Sequence, residues 1–151
     1  MNTRKQKTLL GWREWVALPG LGVPRMLAKV DTGARTSALD TVCMEEFEED
    51  GVRKVRFELL TAEGKKGSGK QCTAEVLESR WVTNSGGGRE NRVVIRTPVV
   101  IGAFRKDIEI TLTNRNSMKF RMLLGRTAVM QEFNINPGRS YLAGEPRLES
   151  R

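Results

Sequence analysis

The 151-residue sequence contains no histidine. That absence removes the serine triad, the cysteine–histidine dyad and the histidine-ligated zinc hydrolase. Cysteine is scarce as well. Cys43 and Cys72 make neither a CxxC pair nor a disulfide framework, and two thiols alone do not complete a structural zinc site. They read as buried or incidental thiols of a reducing compartment. Aromatic residues are only 6% of the chain, too few for the stacking platforms of single-strand nucleic-acid binders. No apolar run approaches the ~18 residues of a membrane span, which excludes integral membrane roles by helices. The basic start MNTRKQKTLLGW runs into Arg13 and Glu14 rather than a signal-peptide core, so the expected location is cytoplasmic.

Acids are outnumbered, 18 Asp+Glu against 26 Lys+Arg, for a net charge of +8. Residues 45–50 (EEFEED) hold five of the acids and read as a solvated turn, whereas residues 76–151 carry 13 Lys+Arg against 7 Asp+Glu. Such an excess suits a solubilising surface, nucleic acid, acidic lipid or an acidic substrate.

The length fits one domain. Strand signals dominate it. Trp12–Leu18 alternates, Pro19-Gly20-Leu21-Gly22 turns, and Arg25–Val30 returns. Further strands are expected at Val52–Leu60, Gln71–Leu77, Arg80–Thr83, Arg92–Arg96, Pro98–Ile101, Asp107–Thr113 and Lys119–Leu124. Only Thr127–Phe133 has helical composition. Close-spaced short strands point to an all-β barrel or sandwich over residues 12–142, with flexible ends at 1–11 and 143–151.

Two segments carry chemistry. Lys29-Val30-Asp31-Thr32-Gly33-Ala34 is an apolar strand ending in Asp-Thr-Gly. Met122-Leu123-Leu124-Gly125-Arg126 is an apolar strand ending in Gly before the helix. A lone Asp-Thr-Gly is good turn chemistry and a weak signal, but the ordered pair is more specific. The pair resembles the retropepsin family of aspartic peptidases. The resemblance implies a retropepsin-like closed β-barrel with one short helix near the C-terminus. It implies Asp31 as catalyst, Thr32 as a tie between loops, and Gly33 as the residue that lets backbone N–H groups approach the carboxylate. The mechanism it implies needs two carboxylates ~3 Å apart that share one proton and act as base and acid. The other aspartates, Asp40, Asp50 and Asp107, lie in no second Asp-Thr-Gly, so the dyad calls for a homodimer with Asp31 from each chain.

KVDTGARTSAL, RWVTNSGGGRE, VVIRTPVVIG and IEITLTNRNSMKFRMLLGR together are similar to a bacterial retropepsin-like group. That group includes RimB-type proteases and proteins labelled ATP-dependent zinc proteases. The resemblance implies a partner, a RimK-type glutamate ligase, and a substrate, the glutamate-rich tail that ligase adds to a small-subunit ribosomal protein. The residues do not support the metal or ATP of that label, and no cofactor is expected. The chain has no HExxH, and GKKGSGK lacks P-loop spacing.

One departure is informative. Viral relatives carry an acid two residues after Asp-Thr-Gly, paired with the Arg after the second segment. Here Arg35 stands there, facing Arg126. Either both bind substrate carboxylates, together with Thr36, or they pair with acids such as Asp40 or Glu132. The family also covers its cleft with a Gly-rich hairpin. Two tips compete, residues 64–70 and Ser85-Gly86-Gly87-Gly88. The second is favoured because Arg80, Arg89 and Arg92 flank it as a cationic lid. Arg115 in the turn 114–118 is a further substrate-facing candidate. Trp12, Trp15 and Trp81 read as core or interface. Nucleic acid is not required by this reading. The competing one is a non-catalytic basic β-domain that binds RNA or the ribosome, or regulates a glutamate ligase.

Overall fold

The computed structural model describes residues 7–59, 69–83, 86–114 and 119–148. Its strands in chain order are β1 (Thr8–Leu10), β2 (Arg13–Leu18), β3 (Val23–Asp31), β4 (Ser37–Asp40), β5 (Val42–Glu49), β6 (Val52–Leu59), β7 (Lys70–Glu75), β8 (Glu78–Thr83), β9 (Arg89–Ile101), β10 (Phe104–Thr113), β11 (Met122–Gly125) and β12 (Phe133–Ile135). One α-helical turn, α1 (Arg126–Val129), follows β11, and a single 3₁₀ turn, Pro19–Leu21, joins β2 to β3. The protein is all-β with a short helix near its C-terminus, as its sequence leads one to expect.

Six strands pair in a closed circuit. β2 pairs with β3, β3 with β11, β11 with β4, β4 with β10, β10 with β9, and β9 returns to β2. Alternation along these strands fills the interior: Val16, Leu18, Ala28, Leu39, Ile95, Ile110, Leu112, Met122 and Leu124 are all buried. A three-stranded sheet, β5-β6-β7, adds Val55, Phe57 and Leu59 to the same core.

β9 branches. Its second half, from Val94 to Ile101, pairs with β10, while its first half, Arg89–Val94, pairs with β8. The β8–β9 hairpin therefore projects beyond the ring. The sequence suggested a break at Pro98, but β9 runs through it. Among the described residues the edge of β9 facing away from β10 has no strand partner over 95–99, between the β8 and β2 pairings, and proline is tolerated on such an edge.

Three expectations need correction. EEFEED is no loop: it is most of β5, and its turn is Asp50-Gly51, both at positive φ (55° and 79°), the geometry of a two-residue hairpin. The helix stops at Val129 because Phe133 leaves it to join β12, where it is buried edge-on against Phe104. Residues 7–11 and 143–148, the described parts of the two ends, are less loose than composition suggests. β1 pairs parallel with β12 and buries Leu10, and residues 143–147 dock through an Arg147 N–H bond to Gly102 O (2.7 Å) and an Arg25–Glu145 ion pair (2.8 Å).

Buried Glu14 closes this end of the molecule. Its carboxylate accepts backbone N–H groups from Gly11 (2.6 Å), Leu142 (2.8 Å) and Ala143 (3.1 Å). A charge at full burial is tolerable only with such a set of donors.

Candidate active site

Asp31 ends β3, and the parallel register sets it opposite Gly125 at the end of β11. Its Oδ1 accepts the Gly33 N–H at 3.2 Å, and its carbonyl accepts the Ala34 N–H at 3.2 Å, which turns the chain sharply. The first residues of α1 then hold the loop. Arg126 N–H donates to Ala34 O (2.8 Å), Thr127 N–H to Arg35 O (3.1 Å), and the Thr127 hydroxyl to the same carbonyl (2.8 Å). The Arg126 guanidinium donates to Gly33 O at 3.3 Å. The two sequence segments thus form one unit, laced by backbone and side-chain bonds.

Glycine is demanded most at Gly125. A Cβ there would sit 2.5 Å from the Thr36 carbonyl carbon and 2.9 Å from Ser37 N. At Gly33 the nearest atom would be Asp31 Oδ1 at 3.4 Å, an ordinary contact, so Gly33 contributes through its N–H. Thr32 is exposed beside Asp31 and makes no side-chain hydrogen bond among the described residues.

A cleft of about 1040 Å³ opens over this loop. Asp31, Gly33, Ala34, Arg35 and Thr36 form its floor, and Arg80–Thr83 of the projecting β8 overhang it. The wall comes from β9 and β10: Arg92, Arg96, Lys106, Asp107, Glu109 and Thr111. Five cations line the space against three carboxylates.

Their pairing separates them. Arg80 is bound by Glu78 and by Glu109 (3.0 Å), and these carboxylates raise its pKa further. Arg92 is bound by Glu90 (2.8 Å) and Lys106 by Glu132 (3.2 Å). Arg35 and Arg96 have no acidic partner among the described residues. The acids suggested as partners for Arg35 and Arg126 are taken: Asp40 by Arg121 (3.0 Å) and Glu132 by Lys106. Arg126 does not line the cleft but turns to the loop carbonyl, which relieves the repulsion expected with Arg35.

Of the remaining candidates, Arg89 lies over the Trp81 ring at 5.0 Å, outside the cleft lining. Gly86, Gly87 and Gly88 follow the Thr83–Arg89 pair at the exposed hairpin tip, with Gly87 at φ 89°. Ser85 and Arg115 lie outside the described residues, as does most of the competing tip at 64–70. Trp81 is 59% exposed and lines the cleft, unlike half-buried Trp12 and Trp15, which pack on Phe120 and Tyr141. Sequence reasoning missed Arg96 and Asp107. Arg96 was legible as a second cation on the same face of an alternating strand as Arg92, four residues on. Asp107 carried no local signal beyond its exposure.

The family model for the RimB-like retropepsin-like aspartic endopeptidases matches residues 9–146. The chain belongs to that family. Among curated proteins it is 40% identical over 144 residues to a probable alpha-L-glutamate ligase of Desulfotalea psychrophila, covering 95% of this chain and 31% of the relative. It is 39% identical over 139 residues to one of Shewanella pealeana, covering 92% and 30%. The chain therefore spans about a third of the length of these relatives. A solved protein of unknown function from Legionella pneumophila shares the fold, with a TM-score of 0.76 at 23% identity over 91% of this chain and 99% of that one.

The zinc in the label of similar proteins finds no ligand set. The sequence has no histidine, and among the described residues no three Cys, Asp or Glu side chains converge as a metal site. Among the described residues no helix is long and apolar enough to cross a membrane.

Proposed function

We propose that the chain is an aspartic peptidase of retropepsin type, cytoplasmic, which trims glutamate-rich tails such as those a RimK-type ligase adds to a ribosomal protein. The observation that carries this reading is the placing of Asp31: at a strand end, in register with Gly125, on the floor of a cleft overhung by a hairpin. Asp31 from each of two chains would form the dyad. The ionised carboxylate takes a proton from water, whose oxygen attacks the scissile carbonyl. The protonated carboxyl gives its proton to the carbonyl oxygen. Collapse of the gem-diol then breaks the C–N bond: the amine nitrogen takes a proton from the protonated carboxyl while a gem-diol hydroxyl gives its proton to the carboxylate, which restores the shared proton. Thr32 ties the two loops together, and the Gly33 N–H orients the carboxylate. Arg35, with Thr36 beside it, and Arg96 supply free guanidinium charge for substrate carboxylates. Arg80 and Arg89 shape the overhanging hairpin, whose described tip is Gly86-Gly87-Gly88.

The glutamate context draws support from the relatives named as glutamate ligases, of which this chain matches a third. The decisive experiment compares wild type with Asp31→Asn on a peptide bearing an oligoglutamate tail. Wild type should shorten the tail and Asp31→Asn should not. Equal trimming by both would end the aspartic mechanism, and loss of activity on chelation would favour a metal enzyme. One observation favours a second arrangement: Asp107 lines the same cleft as Asp31 and has no partner among the described residues. A single-chain pair of Asp31 and Asp107 would make Asp107→Asn as inactive as Asp31→Asn; the two-chain dyad leaves Asp107→Asn active.

A further inference from the structure

Arg92 is a cation that the protein buries, with 8% exposure, and two of its guanidinium nitrogens are hydrogen-bonded. Nε donates to Glu90 Oε1 at 2.8 Å and Nη1 donates to Thr111 Oγ1 at 3.3 Å. The Thr111 hydroxyl, 2% exposed, donates in turn to Ser37 O at 3.3 Å. Ser37, 1% exposed, accepts the Gly125 N–H on its Oγ at 3.0 Å. Gly125 is the register partner of Asp31. These bonds, joined through the covalent frame of Ser37, therefore link the hairpin to the floor of the cleft.

The position of Arg92 gives this chain of bonds its meaning. The pairing of β9 with β10 ends at Val94–Thr111, so Arg92 stands on the stretch of β9 held only by β8. It reaches back across the branch point to the last residue of β10 that pairs with β9. A buried guanidinium is costly unless its partners are fixed, and an apolar side chain would join hairpin to barrel at lower cost. What the polar network adds is direction, because each donor has one acceptor at one angle.

We propose that Arg92 is a positioning residue that sets the height of the β8–β9 hairpin over Asp31, through Thr111 and Ser37, and does not itself read the substrate. The kinetic part of its test rests on the peptidase reading; the structural part does not. Thr111→Val removes the shared hydroxyl while keeping the branched side chain. Arg92→Lys keeps the charge but loses the fork that spans Glu90 and Thr111. In both variants, amide hydrogen exchange in 78–83 and 89–92 should quicken about tenfold, with 95–101 unchanged. On peptides, kcat should fall about tenfold with KM nearly constant, alike for acidic and neutral substrates. A loss confined to acidic substrates and carried by KM would make Arg92 a reader and overturn the proposal. Unchanged hairpin exchange in Thr111→Val would overturn it too, whether or not any peptide is cut. Failure of the wild type to cut any peptide would count against the peptidase reading alone, since exchange still decides the positioning role. If Arg92→Lys does not fold, Thr111→Val carries the test.

Discussion

At the scale of single residues, buried polar groups give the sharpest expectations. Glu14 accepts three backbone N–H groups at zero exposure. Glu14→Ala strands those donors and should cost about 3 kcal/mol or more, read as a fall in the denaturant midpoint. The thiols should also part company. Burial pushes the Cys72 thiol above its ordinary value of 9.0, so its reactive thiolate forms only at higher pH. A thiol reagent at pH 8 should label exposed Cys43 quickly and Cys72 only in denaturant; equal labelling would contradict that burial. In the cleft, Arg35→Glu and Arg96→Glu should each raise KM for an acidic peptide about tenfold and leave thermal stability nearly unchanged, since neither guanidinium has an acidic partner to lose.

Among elements, the meeting of β11 with the Asp31 loop is the least forgiving. Gly125→Ala puts a methyl against the backbone of Thr36 and Ser37, where nothing flexible can yield. It should destabilise the protein by about 2 kcal/mol or more and displace Asp31, with activity lost even below the melting transition. This junction was legible in the sequence because both halves are local: a strand of apolar residues, then a glycine. What hid elsewhere was pairing between segments distant in sequence. β5 has no apolar alternation, since most of its side chains face water, and its stability comes from charges across the ladder to β6. Glu46–Arg53, Glu45–Arg56 and Glu49–Lys54 join EEFEED to VRKVR. The Asp50-Gly51 hairpin signal was there to be read, but the density of acids suggested a loop. Ser37–Asp40 is four residues long and buried between β10 and β11, too short for any period to show. The roles of Arg80 and Arg92 were hidden for the same reason. Their charge was visible in the sequence, and so were Glu78 and Glu90 two residues away, whereas Glu109 and Thr111 are brought to them from another strand by the fold.

For the whole molecule, the two-chain dyad makes a quantitative demand. When wild type and Asp31→Asn exchange subunits freely in equal amounts, about a quarter of the dimers hold two intact loops. Activity should fall to about a quarter of that of the same total of wild type; a fall to about one half would mean that each chain works alone. Net charge sets a second expectation. At +8, attraction for a polyanionic tail is screened by salt, so KM should rise several-fold from about 0.05 to about 0.5 M salt while kcat holds. The closed circuit of six strands has a consequence of another kind. A hoop, unlike a ribbon, offers no loose end from which to fray. Its amides should exchange together, near the rate of global unfolding, while the outer edges of β5 and β8 exchange earlier. Wear and motion are thereby confined to the periphery, and the β8–β9 hairpin can yield without opening the hoop, as far as its tie through Arg92 and Thr111 lets it.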